Sequence, residues 1–388
     1  MLGGLIFLVL LLATLTWRVR APMLGWREAG LYAALTWGAV IALLTESLSV
    51  FHALRFWPVL IAWSGLLGAL GLYLWWIWPQ RKIMGRPVLG TPLVRVLAVA
   101  VVALWLLAGV AAGLAPPNTP DVLSYHLPRQ LLWLEQGGVQ HFATGSDRLL
   151  MMSPLAEMIQ VHALVLAGGD WWANVPQWLA YGWGMMVTSL LARDLGAGRG
   201  GQWLAAFAFA TLPMAYLEAS SAKNDLLVAV WLAIFTWLAL RPVAAGRRTT
   251  ADWLALGTAL GLSLATKTTA VIFVVPVLGW LVRAPGRDWR GLVIGGAALL
   301  LIAGPHWTRN QAWYGTPLGV HRAEDGGAQG NEVFSWRSVA SNGVRNATLH
   351  LATPSPEVNM RLRTWVAQWH EMVGQDLRDG RTTLLGMD

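Results

Sequence analysis

The sequence has no cysteine, which removes disulfides and thiolate metal sites from its chemistry. It is also poor in charge. Only 12% of its 388 residues are Asp, Glu, Lys or Arg, against about 25% in a soluble domain. No phosphate-cradling glycine loop, serine nucleophile elbow or HExxH helix is present. Neither an internal repeat of fixed period nor a low-complexity tract is found.

Apolar residues fill the space that charge leaves. They make up 56% of the chain, with 25 tryptophans, and the mean hydropathy is +0.50. This is the composition of an all-α polytopic membrane protein. Ten runs are candidates to span: Leu2–Trp17, Ala29–Leu44, Trp57–Trp78, Val96–Leu114, Asn174–Ala192, Gln202–Leu217, Leu226–Leu240, Trp253–Thr266, Thr268–Val282 and Gly291–Trp307. A span takes about 17–25 residues, so 253–266 and 268–282 need recruited flanks. Leu2–Trp17 lacks a basic n-region and a cleavage site, and reads as a retained helix. Tryptophans at the run ends, such as Trp75, Trp76 and Trp171, suit the membrane–water interface.

The net charge of +8 is not a nucleic-acid signal, because the basic residues sit in short loops between apolar runs. With the loop 115–173 placed outside, fifteen Lys or Arg fall inside, from the clusters at 18–27, 81–95, 193–199, 241–248 and 283–290. Five fall in outer loops: Arg55, Arg129, Arg148, Lys223 and Lys267. Leu155–Ala167 is apolar but short. If it spanned, every later loop would flip, so an interfacial helix on the outer surface is expected there. Residues 308–388 then lie outside. In them Ser355 can cap a helix opened by Pro356, whose apolar face (Val358, Leu362, Trp365, Val366, Trp369, Met372, Val373) is expected to pack on the membrane domain or its surface.

The polar residues away from the basic loops all fall on the outer side. Three prolines, Pro116, Pro117 and Pro120, stop the preceding run. Pro128 can then open a short helix carrying Arg129 and Glu135. Asp121, Glu157 and Asp225 are the candidate catalytic carboxylates, since a carboxylate at a membrane edge can take a proton from an acceptor. Tyr125, His126, Arg129, Arg148, Lys223, Asn224, Lys267, Arg309 and Asn310 are the candidate substrate-binding residues, with Lys and Arg suited to a phosphate. Structural roles stand beside these. Lys267 and Arg309 can snorkel to headgroups, Asp225 can simply pair with Lys223, and Glu157 with Arg148. His126 and His141 with Asp121 match no zinc spacing. An acid-bound divalent cation, Mg or Mn, is the form a metal would take.

At these residues the chain resembles the bacterial membrane glycosyltransferases of family 39, in the GT-C class, and is similar to protein O-mannosyltransferases and the lipid A aminoarabinose transferase. The resemblance covers about Pro116 to Gly319. It rests on Asp121-Val-Leu-Ser-Tyr-His-Leu-Pro-Arg129, Ser153-Pro-Leu-Ala-Glu157, Lys223-Asn-Asp225, Ala265-Thr-Lys-Thr-Thr269, and Arg309-Asn310 followed by Tyr314-Gly-Thr-Pro-Leu-Gly319. It implies a GT-C-like helical bundle whose first large outer loop holds the base, a role that falls on Asp121, with Asp225 as the acid of the second outer loop. The family's Pro-Pro-Leu element becomes Ser153-Pro154-Leu155. The implied donor is a polyprenyl-phosphate sugar, the acceptor an unidentified protein, lipid or glycan, and the place the outer face of a bacterial inner membrane. Two departures are visible: three spans precede the first family-like one, and relatives commonly continue with further spans after the last one here.

The expected organisation is N-terminal helices in 1–95, a GT-C-like core in 96–307 with outer loop 115–173, and an extracytoplasmic segment in 308–388. A transporter or flippase of lipid-linked sugars is the second reading, although the midspan stretches are nearly free of charge. A non-catalytic scaffold is the third. A topology reporter fused after Asp147 should read external and one after Arg248 cytoplasmic; a cytoplasmic signal at Asp147 would overturn the orientation.

Overall fold

A computed structural model describes residues 2–80, 90–241, 248–283, 288–319, 333 and 335–382. Arg81, Lys82, Arg86, Arg247 and Arg287, which entered the charge count, and the expected loop 326–330 lie outside the described residues. The chain forms two compact units, residues 1–211 with 215–319, and residues 320–388 with 212–214.

Among the described residues there are sixteen α-helices and no strand. The first four are α1 (Leu5–Arg20), α2 (Trp26–Val50), α3 (Phe56–Ile77) and α4 (Pro92–Leu114). A long connection follows, carrying α5 (Leu127–Gln136), α6 (Arg148–Met151) and α7 (Leu155–Ala167). The bundle resumes with α8 (Val175–Asp194), α9 (Arg199–Ala210), α10 (Pro213–Glu218), α11 (Asp225–Leu240), α12 (Thr250–Thr266), α13 (Val271–Arg283) and α14 (Trp289–Tyr314). The second unit holds α15 (Trp336–Leu349) and α16 (Pro356–Met372).

Among the described residues five helices are long and apolar enough to cross a membrane: Leu2–Arg20, Trp26–Val50, Phe56–Ile77, Pro92–Leu114 and Trp289–Tyr314. The other expected spans are shorter or more polar. At 16 residues α11 rises about 24 Å, less than a hydrocarbon core of roughly 30 Å. The expected run 202–217 is not one helix. α9 stops at Ala210 and α10 begins at Pro213, because proline lacks the amide donor and clashes with the preceding turn. α14 instead outruns its expected end at Trp307 and carries Arg309 and Asn310 on its last turns, closing on Gly315 at φ +76°.

The two ends of the first unit differ in chemistry. At one end Arg193 bridges Glu28 and Asp194, Arg241 pairs with Asp252 and donates to Tyr32 Oη, and Arg27 donates to Ser189 and Gln202. At the other end α2, α4, α12 and α14 finish and α3, α8 and α11 begin. Asn174 before α8 donates to the last carbonyls of α4, and Gln177 of α8 accepts from Leu227 N of α11. Asn224 before α11 donates to Thr266 O at the end of α12.

α7 departs from the expected interfacial helix. Ten of its residues are buried, Glu157, Gln160 and His162 among them, so it plugs the end of the bundle rather than lying on it. Its polar side chains find partners inside. His162 is wedged between Thr45 Oγ1 at 2.8 Å and Trp63 Nε1 at 3.0 Å. Thr45 gives its own proton to Ile41 O, so His162 donates through Nε2 and accepts through Nδ1 as a neutral ring.

In the second unit Ser355 caps α16 through Val358 N, as expected. The expected apolar face is not buried as a whole. Val366 and His370 are buried, whereas Val358, Trp365 and Met372 are exposed. His370 accepts from Ser341 of α15 and donates to Val366 O.

Close backbone packing sets α12 against α14. A Cβ on Gly257 would overlap the Gly295 carbonyl, which belongs to the backbone and cannot swing away. Gly257→Ala should therefore cost about 1–3 kcal/mol. Gly65→Ala, on α3 with open space at the Cβ position, should be neutral or slightly stabilising. Thermal unfolding in detergent compares the two, and equal midpoints would contradict the close approach.

Candidate active site

The connection between α4 and α8 is fastened by a buried ion cluster. Arg129 of α5 and Glu157 of α7 are 1% and 0% exposed. Arg129 Nη1 donates to Glu157 Oε1 at 3.1 Å, and His126 Nδ1 lies 2.9 Å from the same oxygen. Arg129 also donates to three carbonyls, those of Leu149 (2.6 Å), Met152 (2.7 Å) and Arg148 (3.3 Å). One guanidinium thus ties α5 to α6, the turn after it and α7. Burial alone would raise the Glu157 carboxyl pKa; Arg129 and His126 outweigh it and hold the group ionised. Below this cluster Gln130 donates to Gln160, and Gln160 to Ala222 O, carrying the connection to the loop before α11. Ser153 adds a third tie, with bonds to Leu264 O and Thr268 Oγ1, both 2.9 Å.

These contacts sort the expected residues. Glu157, Arg129 and His126 come together, but out of reach of solvent. Arg148 contributes its backbone carbonyl to Arg129; the partner of Glu157 is Arg129, not Arg148. Asn310 is buried beneath the connection, where it accepts from His141 Nε2 at 2.8 Å and donates to Met151 O and Pro317 O. Burial lowers the His141 pKa to about 4, so the ring is neutral at pH 7.

A half-open network of opposite charges lies on the same bundle end. Asp225, the first residue of α11, accepts from Lys267 at 2.5 Å and lies 3.2 Å from Lys223. Lys223 also donates to Glu218 at 3.0 Å, and Ser221 donates to the other Glu218 oxygen. Burial would depress the Lys223 ammonium, but Glu218 and Asp225 outweigh it and raise its pKa. A carboxylate at a helix N-terminus is also favoured by the helix dipole. Asp225 and Lys267 expose 35% and 39% of their side chains, enough to meet a ligand.

Asp121 and Tyr125 stand beside this network. A π-helical turn, Val122–His126, leads from Asp121 into α5, and such turns recur at functional sites. The Tyr125 ring lies 4.2 Å from the His126 ring, so the buried cluster positions the phenol. Burial, and then the Asp121, Glu157 and Asp225 carboxylates, push its pKa well above the ordinary 10 and keep it a proton donor. Asp121 is half-buried, and among the described residues no cationic side chain pairs with it. It therefore differs from Asp225, which has two ammonium partners.

Two acids were not singled out in the sequence. Glu218 joins the network through Lys223. Glu46 of α2 takes Arg309 in a bidentate pair at 2.6 and 2.8 Å, so Arg309 clamps α14 to α2. The only signal for Glu46 was an acid just past the end of an apolar run. Among the described residues no three His, Asp or Glu side chains gather as a metal-ligand set. Asp225 and Glu218 have ammonium groups where a cation would need them free.

Removing one partner of a buried pair strands the other, at about 3–5 kcal/mol. Arg129→Ala should therefore lower the unfolding midpoint strongly, and Glu157→Gln, which keeps hydrogen bonding, should lower it less. Asp121→Asn should leave it unchanged. An unshifted midpoint in Arg129→Ala would remove the clamp from the fold.

Residues 153–308 match the model of the dolichyl-phosphate-mannose-protein mannosyltransferase family. The matched segment, about two fifths of the chain, holds Glu157, Lys223, Asn224, Asp225 and Lys267; Asp121, Tyr125 and Arg129 precede it. Comparison with curated proteins and with solved structures returns no match. The family match agrees with the motifs read from the sequence and supports a family 39-like membrane glycosyltransferase of GT-C type.

Proposed function

We propose that the chain transfers a sugar from a polyprenyl-phosphate carrier to an acceptor at the outer face of a bacterial inner membrane. The observation that carries this reading is the pairing of an acid with no cationic partner among the described residues, Asp121, with a half-open ammonium network, Lys223 and Lys267 around Asp225, at one end of the bundle. Transfer needs both. The acceptor must lose a proton as its oxygen or nitrogen bonds to the anomeric carbon, and the phosphate must leave with its charge compensated.

In this reading Asp121 takes the acceptor proton. The bond between the anomeric carbon and the phosphate oxygen breaks, and the lipid phosphate departs against Lys267 and Lys223. Asp225 holds both ammonium groups in place before the donor arrives, and the neutral Tyr125 phenol can donate to a phosphate or sugar oxygen. Glu157, His126 and Arg129 act through the loop they fix, as positioning residues. Arg309 and Asn310 keep α14 under the connection. No step is routed through a divalent cation.

Asp121→Asn should fold and bind donor yet lose transfer by roughly 10²–10⁴-fold, the usual range for a general base. Lys267→Ala should weaken donor binding by about 1–3 kcal/mol, the worth of a charge-assisted bond. Asp225→Asn is the comparison. If Asp121→Asn turns over normally while Asp225→Asn is inactive, the base is Asp225. Normal turnover in both would refute an acid–base role for this face.

A further inference from the structure

A second feature lies away from these acids. A cleft of about 930 Å³ runs between α1, α2, α4, α8 and α9, near the top of the roughly 300–1,000 Å³ typical of small-molecule sites. Its lining changes along the helix axes. Toward the end with Asp121 it is apolar, with Phe7, Leu10, Val101 and Leu179. Toward the other end it is polar, with Arg27, Ser189, Arg193, Arg199 and Gln202, and Trp26 and Trp203 at the same level. Leu11 and Val102 on its rim are 55% and 50% exposed, so it is open sideways between α1 and α4, both long and apolar enough to cross a membrane.

We propose that this cleft is a binding site for an anionic phospholipid, with an acyl chain in the apolar part and the phosphate beside Arg27. Charge complementarity argues for this occupant. Arg27, Arg193 and Arg199 line the cleft and no acid does; Arg193 is compensated by its own carboxylates, Glu28 and Asp194, so the complementarity rests on Arg27. Arg27 donates to the neutral oxygens of Ser189 and Gln202, so its charge faces the cleft without a hydrogen-bonded acid. Arginines between membrane helices with tryptophans at the same depth suit an anionic headgroup at the interface. Gly30 keeps the wall thin, where a larger side chain would enter the space against Met186.

The carrier lipid of the proposed transfer is a poorer occupant. Gln177 of α8 caps α11 two residues beyond Asp225, and Arg193 lies sixteen residues further along the same helix. That is roughly 24 Å of rise. A donor with its phosphate at Arg193 could not present its sugar to Asp121. The cleft therefore belongs to a resident lipid of the opposite leaflet, and this inference does not depend on the chemistry assigned to Asp121.

The test is native mass spectrometry of the purified full chain titrated with phosphatidylglycerol or with phosphatidylcholine of the same acyl chains. Phosphatidylglycerol should be retained on the order of tenfold more, the scale of a hydrogen bond to a charged group. Arg27→Gln should remove that preference, and Gly30→Leu, which fills the cleft, should reduce retention of both lipids. In the unaltered chain, phosphatidylglycerol with a photoreactive acyl chain should label peptides containing Leu11, Val102 or Met186, a result that stands even if a variant fails to fold. Equal retention of the two lipids, or labelling confined to other helices, would overturn the proposal. So would polyprenyl phosphate displacing phosphatidylglycerol from the labelled peptides, since the cleft would then be a carrier site.

Discussion

Burying a guanidinium and a carboxylate together costs several kcal/mol per ion before their attraction is counted. Arg129 and Glu157 meet that cost with geometry: Arg129 donates to Glu157 and to three carbonyls, and His126 shares the carboxylate. Those partners come from α5, α6, the turn after it and α7, so the pair can form only when the whole connection is folded onto the bundle end. The neighbouring features depend on it. Tyr125 sits on His126, Asp121 lies one π-helical turn before it, and Gln160 reaches from α7 to the loop that presents Lys223 and Asp225. A flexible loop could carry the same residues but could not hold them at hydrogen-bond distances.

The membrane imposes a second constraint. Charge is costly inside a bilayer, and the bundle sorts it to its two ends. One end balances Arg193 and Arg241 with Glu28, Asp194 and Asp252, and leaves Arg27 with neutral partners on the lateral cleft. The other carries Asp121 beside the Asp225–Lys223–Glu218 network. The same separation that keeps charge out of the hydrocarbon sets apart the two sites proposed here, one for chemistry and one for holding lipid.

Much of this was legible in the sequence because polar residues stand out against apolar runs. Asp121, Asp225, Lys223 and Lys267 were marked in that way, and the helix opened by Pro128 and the cap at Ser355 follow from local rules that packing does not alter. Other features depend on partners distant in the chain. Glu157, Gln160 and His162 interrupt a short apolar run, a composition that suits a helix lying at the interface. α7 is nonetheless buried, since Arg129, Gln130, Thr45 and Trp63 supply the partners that water would otherwise give. Glu46 hides past the end of an apolar run, and only the fold brings it to Arg309. The break at Pro213 was visible, but hydropathy averaged over the run concealed it.

The central claim is that the end bearing Asp121 and Lys267 consumes a lipid-linked sugar. It is tested most directly by giving the purified chain, in lipid nanodiscs, a panel of polyprenyl-phosphate sugars and following release of the free lipid phosphate. For at least one sugar, release should depend on the protein and be accompanied by transfer of the sugar. No release from any donor, with the protein folded and the donors intact, would contradict the claim.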